Sequence, residues 1–185
     1  MMVRIFLLLI VPQMLYFAYG SNMFNRRLQL RVPSAKPVSK ALLTGYEIQF
    51  HKKSNANGSA KCSILENEGS EVYGIVFEID SDEKKLLDRV EGVGTGYEIK
   101  QLKINLPSKT IKAFAYVATE SHIDDSLCPF RWYKRLVLAG AEQHQLPEFY
   151  INRIRKIEAV EDPDEKRRQE AEDILSHYSE NSMEK

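Results

Sequence analysis

In residues 71–80, EVYGIVFEID, apolar side chains occupy both faces of a period-two pattern: Tyr73, Ile75, Phe77 and Ile79 on one, Val72, Gly74 and Val76 on the other. Successive side chains of a strand point to opposite faces, so this segment is expected to be covered on both sides. The rest of the chain must supply that cover. Residues 15–19 form a short aromatic and aliphatic run that reads as a buried strand. Residues 40–51 read as another, and residues 58–68, after the polar loop KKSNANGS, as its neighbour. YEIKQLKINL (97–106) and TIKAFAYVAT (110–119) alternate in the same way.

Helical patterns surround these strands. Residues 23–30 carry Met23, Arg26, Arg27 and Leu30 into a short helix that stops before Pro33. Ser81 reads as an N-cap with Asp82 and Glu83 in the first turn, Leu86, Leu87 and Val90 as an apolar stripe, and Gly92 as the stop, so this helix ends at Glu91. Residues 129–144 place Trp132 or Tyr133, Leu136, Val137, Gly140 and Ala141 at helical spacing, and residues 146–157 do so with Tyr150, Ile151, Ile154 and Ile157. Asp162-Pro163-Asp164-Glu165 has the form of a capping box, opening a last helix with a thin stripe of Ala171, Ile174, Leu175 and Tyr178. Strands first and helices later place the chain in the α+β class. Residues 14–160 are expected to form the main domain and 161–185 a C-terminal amphipathic helix and tail.

Residues 1–13 stand apart. Arg4 and the apolar run 5–11 resemble the front of a secretory signal, but the run is too short to span a bilayer and no small-residue cleavage site follows. They are expected to be a leader or an extension upstream of a functional start at Met14, with a membrane anchor as the alternative. Acidic and basic residues number 26 each, so no net field gathers a polyanion and nucleic acid is not an expected partner. Cys62 and Cys128 lack metal-ligand spacing, and the four histidines are scattered singly. No metal, disulfide or cofactor is expected, and a reducing cytoplasm is the natural compartment.

Two segments can hold chemistry. At Gly20-Ser21-Asn22 a strand breaks into a helix start, where glycine allows close backbone approach and unpaired N–H groups can meet an anion. The alternative is a plain tight turn capped by Ser21 or Asn22. In DRVEGVGTGYE, Glu91 sits at the negative pole of a helix and precedes three glycines in five residues, an open backbone that suits an acid/base role. The alternative there is a solvated charge before a glycine stop.

Taken together, YFAYGSNM, LDRVEGVGTGYE and FRWYKRLVLAGAEQHQLPEFY resemble the gamma-glutamylcyclotransferase family, over about residues 15–178. The Tyr-Gly-Ser-Asn turn combined with the downstream Glu-Gly is the specific part. The resemblance implies a small mixed β-barrel flanked by helices, with turn and glutamate facing one cavity, a small-molecule gamma-glutamyl substrate, and a homodimer. It places Glu91 as general acid/base and Tyr19, Gly20, Ser21 and Asn22 as the substrate loop. Tyr97 resembles a cavity tyrosine, with barrel packing as its alternative, and Tyr133 another, with helix packing as its alternative.

The implied reaction is lactam closure: the substrate's α-amine attacks its own side-chain carbonyl, giving 5-oxoproline and a free amino acid. Same-fold alternatives are action on gamma-glutamylamines or another gamma-glutamyl amide, or a relative that binds metabolites without turnover. Phe17 and Trp132 read as core, His122 and Asp124 as a solvated loop, and Arg26 and Arg27 as surface charges outside the site.

Overall fold

The computed structural model describes residues 11–182, with side chains as far as Ser176. Five strands close into a barrel: β1 (Gln13–Ala18), β2 (Lys36–Lys53), β3 (Ala60–Asp80), β4 (Tyr97–Asn105) and β5 (Thr110–Ala118), in the order β1-β3-β2-β4-β5. Four pairings are antiparallel and the closing one, Tyr16 opposite Phe114, is parallel, so the barrel is mixed as expected. Helices α1 (Asn25–Gln29), α2 (Ser81–Glu91), α3 (Arg131–Gln143), α4 (Glu148–Arg155) and α5 (Glu165–Ser182) flank it.

Val72, Ile75, Val76, Phe77 and Ile79 have no solvent exposure, so this stretch is covered on both faces. Each such side chain contributes about 1.5–3 kcal/mol by leaving water. The two separate strands expected at 58–68 and 71–80 are one continuous strand, β3. Its register against β2 shifts between Tyr46↔Glu66 and Thr44↔Glu71, with Gly69 and Gly45 both at positive φ. The glycines bend the ribbon at a bulge instead of breaking it.

Three helix details differ from the sequence reading. Asp80, not Ser81, is the cap residue of α2, and only Leu87 of the expected stripe is buried, because Leu86 and Val90 face solvent. At α5 the carboxylate of Asp164, not Asp162, accepts the Arg167 N–H. Asp162 is fully buried and receives Trp132 Nε1 at 2.8 Å and the Arg167 guanidinium at 2.9 and 2.8 Å. The Arg167 hydrogen bonds hold this carboxyl well below the usual carboxylate range. Trp132 is thus half-buried at the α3–α5 seam, packing against both the main core and the smaller cluster there, whereas Phe17 is fully buried core. The Tyr178 side chain lies outside the described residues.

At the other end of the chain, β1 takes in Gln13, and the Pro12 carbonyl accepts the Ser81 N–H at 2.9 Å. Residues 1–10 of the expected leader lie outside the described residues. Among the described residues no helix is long and apolar enough to cross a membrane.

Candidate active site

Three elements converge where β1 leaves the barrel. After Ala18 the chain turns through a 3-10 segment, Ser21–Met23, into α1. Helix α3 packs directly on this turn at Gly140, where an added Cβ would fall 2.6 Å from the Phe24 nitrogen. Helix α2 stops at Gly92, in the left-handed conformation that glycine adopts without strain, and this stop delivers Glu91 to the turn. A cavity of about 30 Å³ lies between them.

Every residue expected at the site, Tyr19, Gly20, Ser21, Asn22, Glu91, Tyr97 and Tyr133, lines this cavity. Asn22 Nδ2 donates to Glu91 Oε1 at 2.9 Å and to the Tyr16 hydroxyl at 3.0 Å. Arg31 Nη1 reaches the same Glu91 oxygen at 2.8 Å and Asn22 Oδ1 at 2.8 Å. Segments some seventy residues apart are therefore joined by a closed set of charge-assisted hydrogen bonds. Glu91 is the one carboxylate lining the cavity.

Five tyrosines complete the wall, and their hydroxyls are differently committed. Tyr97 donates to the Cys62 carbonyl at 2.6 Å, while Tyr133 accepts the Cys62 N–H at 3.0 Å, so the two phenols take the two backbone polar groups of one residue of β3. Tyr19 donates to the Tyr116 carbonyl. Tyr116 donates to Asp88 at 2.7 Å, a carboxylate also held by Lys84. Burial pushes all five phenols above the usual tyrosine range, so they are neutral near pH 7. Burial likewise pushes the Cys62 thiol up to about 12. At neutral pH the five phenols and the thiol therefore carry their protons.

The sequence reading missed Tyr16, Cys62 and Tyr116, which line the cavity, and Arg31, which pairs with Glu91. It also misplaced Arg27. That side chain donates from Nε to Ser21 Oγ at 3.0 Å, and burial lowers its pKa to about 9. Arg27 therefore supports the turn from behind and is not a solvated surface charge. His122 and Asp124 hydrogen-bond locally, to Thr119 and Ser121 and to Ser126, and stay outside the cavity. Among the described residues no three His, Cys, Asp or Glu side chains cluster as a metal site.

Residues 71–154 match the AIG2-like family. The chain is 32% identical over 153 residues to the gamma-glutamylcyclotransferase of Mus musculus, covering 80% of each chain. It is 32% identical over 167 residues to that of Homo sapiens, covering 87% of each. A solved structure described as a gamma-glutamyl cyclotransferase superposes with a TM-score of 0.79 at 29% identity, over 90% of this chain and 99% of that one.

Proposed function

Because the chain belongs to the gamma-glutamylcyclotransferase family, we propose that it converts gamma-glutamyl amino acids to 5-oxoproline and a free amino acid, with Glu91 as the general acid/base. The observation that carries this reading is the contact of Glu91 with Asn22 at the Gly20–Asn22 turn, in one cavity.

In lactam closure the nucleophile belongs to the substrate, and the protein's task is to fold the gamma-glutamyl chain back on itself and move protons. The α-ammonium gives a proton to the Glu91 carboxylate, the amine attacks the side-chain carbonyl, and a tetrahedral oxyanion forms. As the bond to the leaving nitrogen breaks, Glu91 returns the proton there. The second proton lost by the α-nitrogen and the second gained by the leaving amine balance by the same relay. Asn22 and Arg31 both hold Oε1, which leaves Oε2 for the substrate. Ser21 and the N–H groups of the turn, which lines the cavity, are suited to hold the substrate carboxylate.

Tyr16 accepts from Asn22, the residue that also binds Glu91, and retains its own proton for the oxyanion. Tyr97, whose proton is given to Cys62, and Tyr133 shape the wall. A homodimer and a cytoplasmic setting belong to the same reading, supported by the family resemblance and by cysteines that are not disulfide-bonded.

Product identity tests it. Incubation with a gamma-glutamyl amino acid, without metal or nucleotide, should release 5-oxoproline and the free amino acid in equal amounts. Glutamate as the initial product would exclude the reading.

A further inference from the structure

Lys52 on β2 and Lys61 on β3 are register partners, directly opposite each other in the ribbon. Like charges in that position destabilise a sheet. Lys52 is nevertheless buried, with only 6% of the residue exposed. Its Nζ lies 4.6 Å from the centre of the Tyr97 ring and packs over Gly96, where a Cβ would fall 2.8 Å from it. Lys61 Nζ lies 4.5 Å from the Tyr133 ring and 4.6 Å from the Trp132 ring, with a hydrogen bond of 2.8 Å to Ser59 Oγ. The two amines therefore rest on the two tyrosines whose hydroxyls bind the backbone N–H and C=O of Cys62 in the cavity wall.

The charges around this wall do not cancel. Glu91 is taken up by Arg31, and among the described residues no carboxylate comes within 4.0 Å of Lys52, Lys61 or Arg27. Asp162, in the electrostatic surroundings of Lys61, is already held by Trp132 and Arg167. None of these three side chains lines the cavity itself; the two lysines stand behind its tyrosines, and Lys52, with 6% of the residue exposed, has no carboxylate within 4.0 Å among the described residues. Burying a charge in that way is costly unless something neutralises it.

We propose that Lys52 and Lys61 form the subsite for the carboxylate of the departing amino acid, and so set the preference for a leaving group that carries one. The assignment rests on the reaction proposed above. In a gamma-glutamyl amino acid the leaving nitrogen is two bonds from its own carboxylate, so a group that protonates that nitrogen must have the carboxylate's subsite beside it. Lys52, stacked on the Tyr97 ring of the same cavity wall that holds Glu91, is placed to meet that demand. A gamma-glutamylamine has no such carboxylate and leaves the lysine pair uncompensated.

The test compares gamma-glutamyl-alanine with gamma-glutamyl-alaninamide, which differ only in the charge of the leaving group. The readout is the ratio of their kcat/KM values, internal to each variant and independent of the fraction folded. Wild type should favour the acid roughly ten- to a hundredfold, the range of a charge-assisted hydrogen bond. Lys61→Gln and Lys52→Gln should each shrink the ratio several-fold and the double variant should bring it close to one, whereas Lys61→Arg should keep it. A ratio unchanged in both glutamine variants, or a wild type that treats both substrates alike while releasing 5-oxoproline, overturns the subsite and leaves the cyclotransferase reading standing. Release of no 5-oxoproline from either substrate overturns that reading and the subsite with it.

Discussion

Replacing Glu91 with glutamine separates proton transfer from architecture. The amide carbonyl can accept the hydrogen bonds that Asn22 and Arg31 now give to Oε1, at 2.9 and 2.8 Å, so the contact between turn and helix survives. What disappears is the charge. The Arg31–Glu91 pair is partly exposed, 22% and 16% by side chain, and its ionic part contributes about 1 kcal/mol or less. For a domain of this size that corresponds to a melting temperature lower by about 2–4 °C. The loss of general acid/base catalysis is far larger, a factor of about 10² to 10⁴ in turnover. At 1.36 kcal/mol per tenfold this is roughly 2.7–5.5 kcal/mol of transition-state stabilisation. Thermal unfolding followed by circular dichroism and 5-oxoproline release at saturating substrate read the two quantities separately. A variant within tenfold of wild-type turnover would show that the base lies elsewhere. A collapse of the melt would show instead that Glu91 chiefly holds the structure.

Three further outcomes follow from the geometry. Tyr16→Phe should lower kcat by about 10² to 10³ with a smaller change in KM, the signature of a lost oxyanion donor; an equal rise in KM with kcat intact would move Tyr16 to substrate binding. Burial lowers the pKa of Lys61 to about 7, so its charge is present below neutral pH and lost above it. The preference for gamma-glutamyl-alanine over the alaninamide should therefore be greatest near pH 6 and fall as pH rises through 7. Neighbouring Cys62 and Asp162 keep their charge states across that window, and a flat ratio would contradict the assignment. A chain beginning at Met14 loses the Pro12 bond to Ser81 and the exposed Gln13–Asp80 contact, and should fold with turnover intact and a melting temperature lower by about 2–4 °C; failure to fold would assign residues 1–13 a structural role.

Much of this was legible because local rules and tertiary needs agreed. Alternation placed β4 and β5 within a residue of their observed ends, and Gly92 fixed the end of α2 because a left-handed stop is a property of glycine itself. The sequence reading failed where one residue serves two demands. Gly69 looks like a turn in isolation, yet pairing with β2 on both sides of the bulge carries the strand through it. Asp162 has the form of a helix cap, but its carboxylate is used to bury Trp132 and Arg167 between α3 and α5. Leu86 and Val90 extend an apolar stripe that the barrel meets only at Leu87.

The candidate site divides in the same way. Turn and glutamate were visible as short motifs, whereas Cys62 and Tyr116 reach the cavity only through closure of the barrel, which no local pattern encodes. Arg31, nine residues beyond Asn22, is placed by the path of α1 and carries no motif of its own.

The central claim is that the substrate's own amine displaces the leaving group, with no water entering the reaction. Turnover of a gamma-glutamyl amino acid in water enriched in oxygen-18, with products resolved by mass, measures this directly. The account predicts 5-oxoproline whose oxygens all come from the substrate, and no reaction when the α-amine is acetylated. Glutamate carrying the heavy oxygen, or cleavage of the acetylated substrate at a comparable rate, would contradict it.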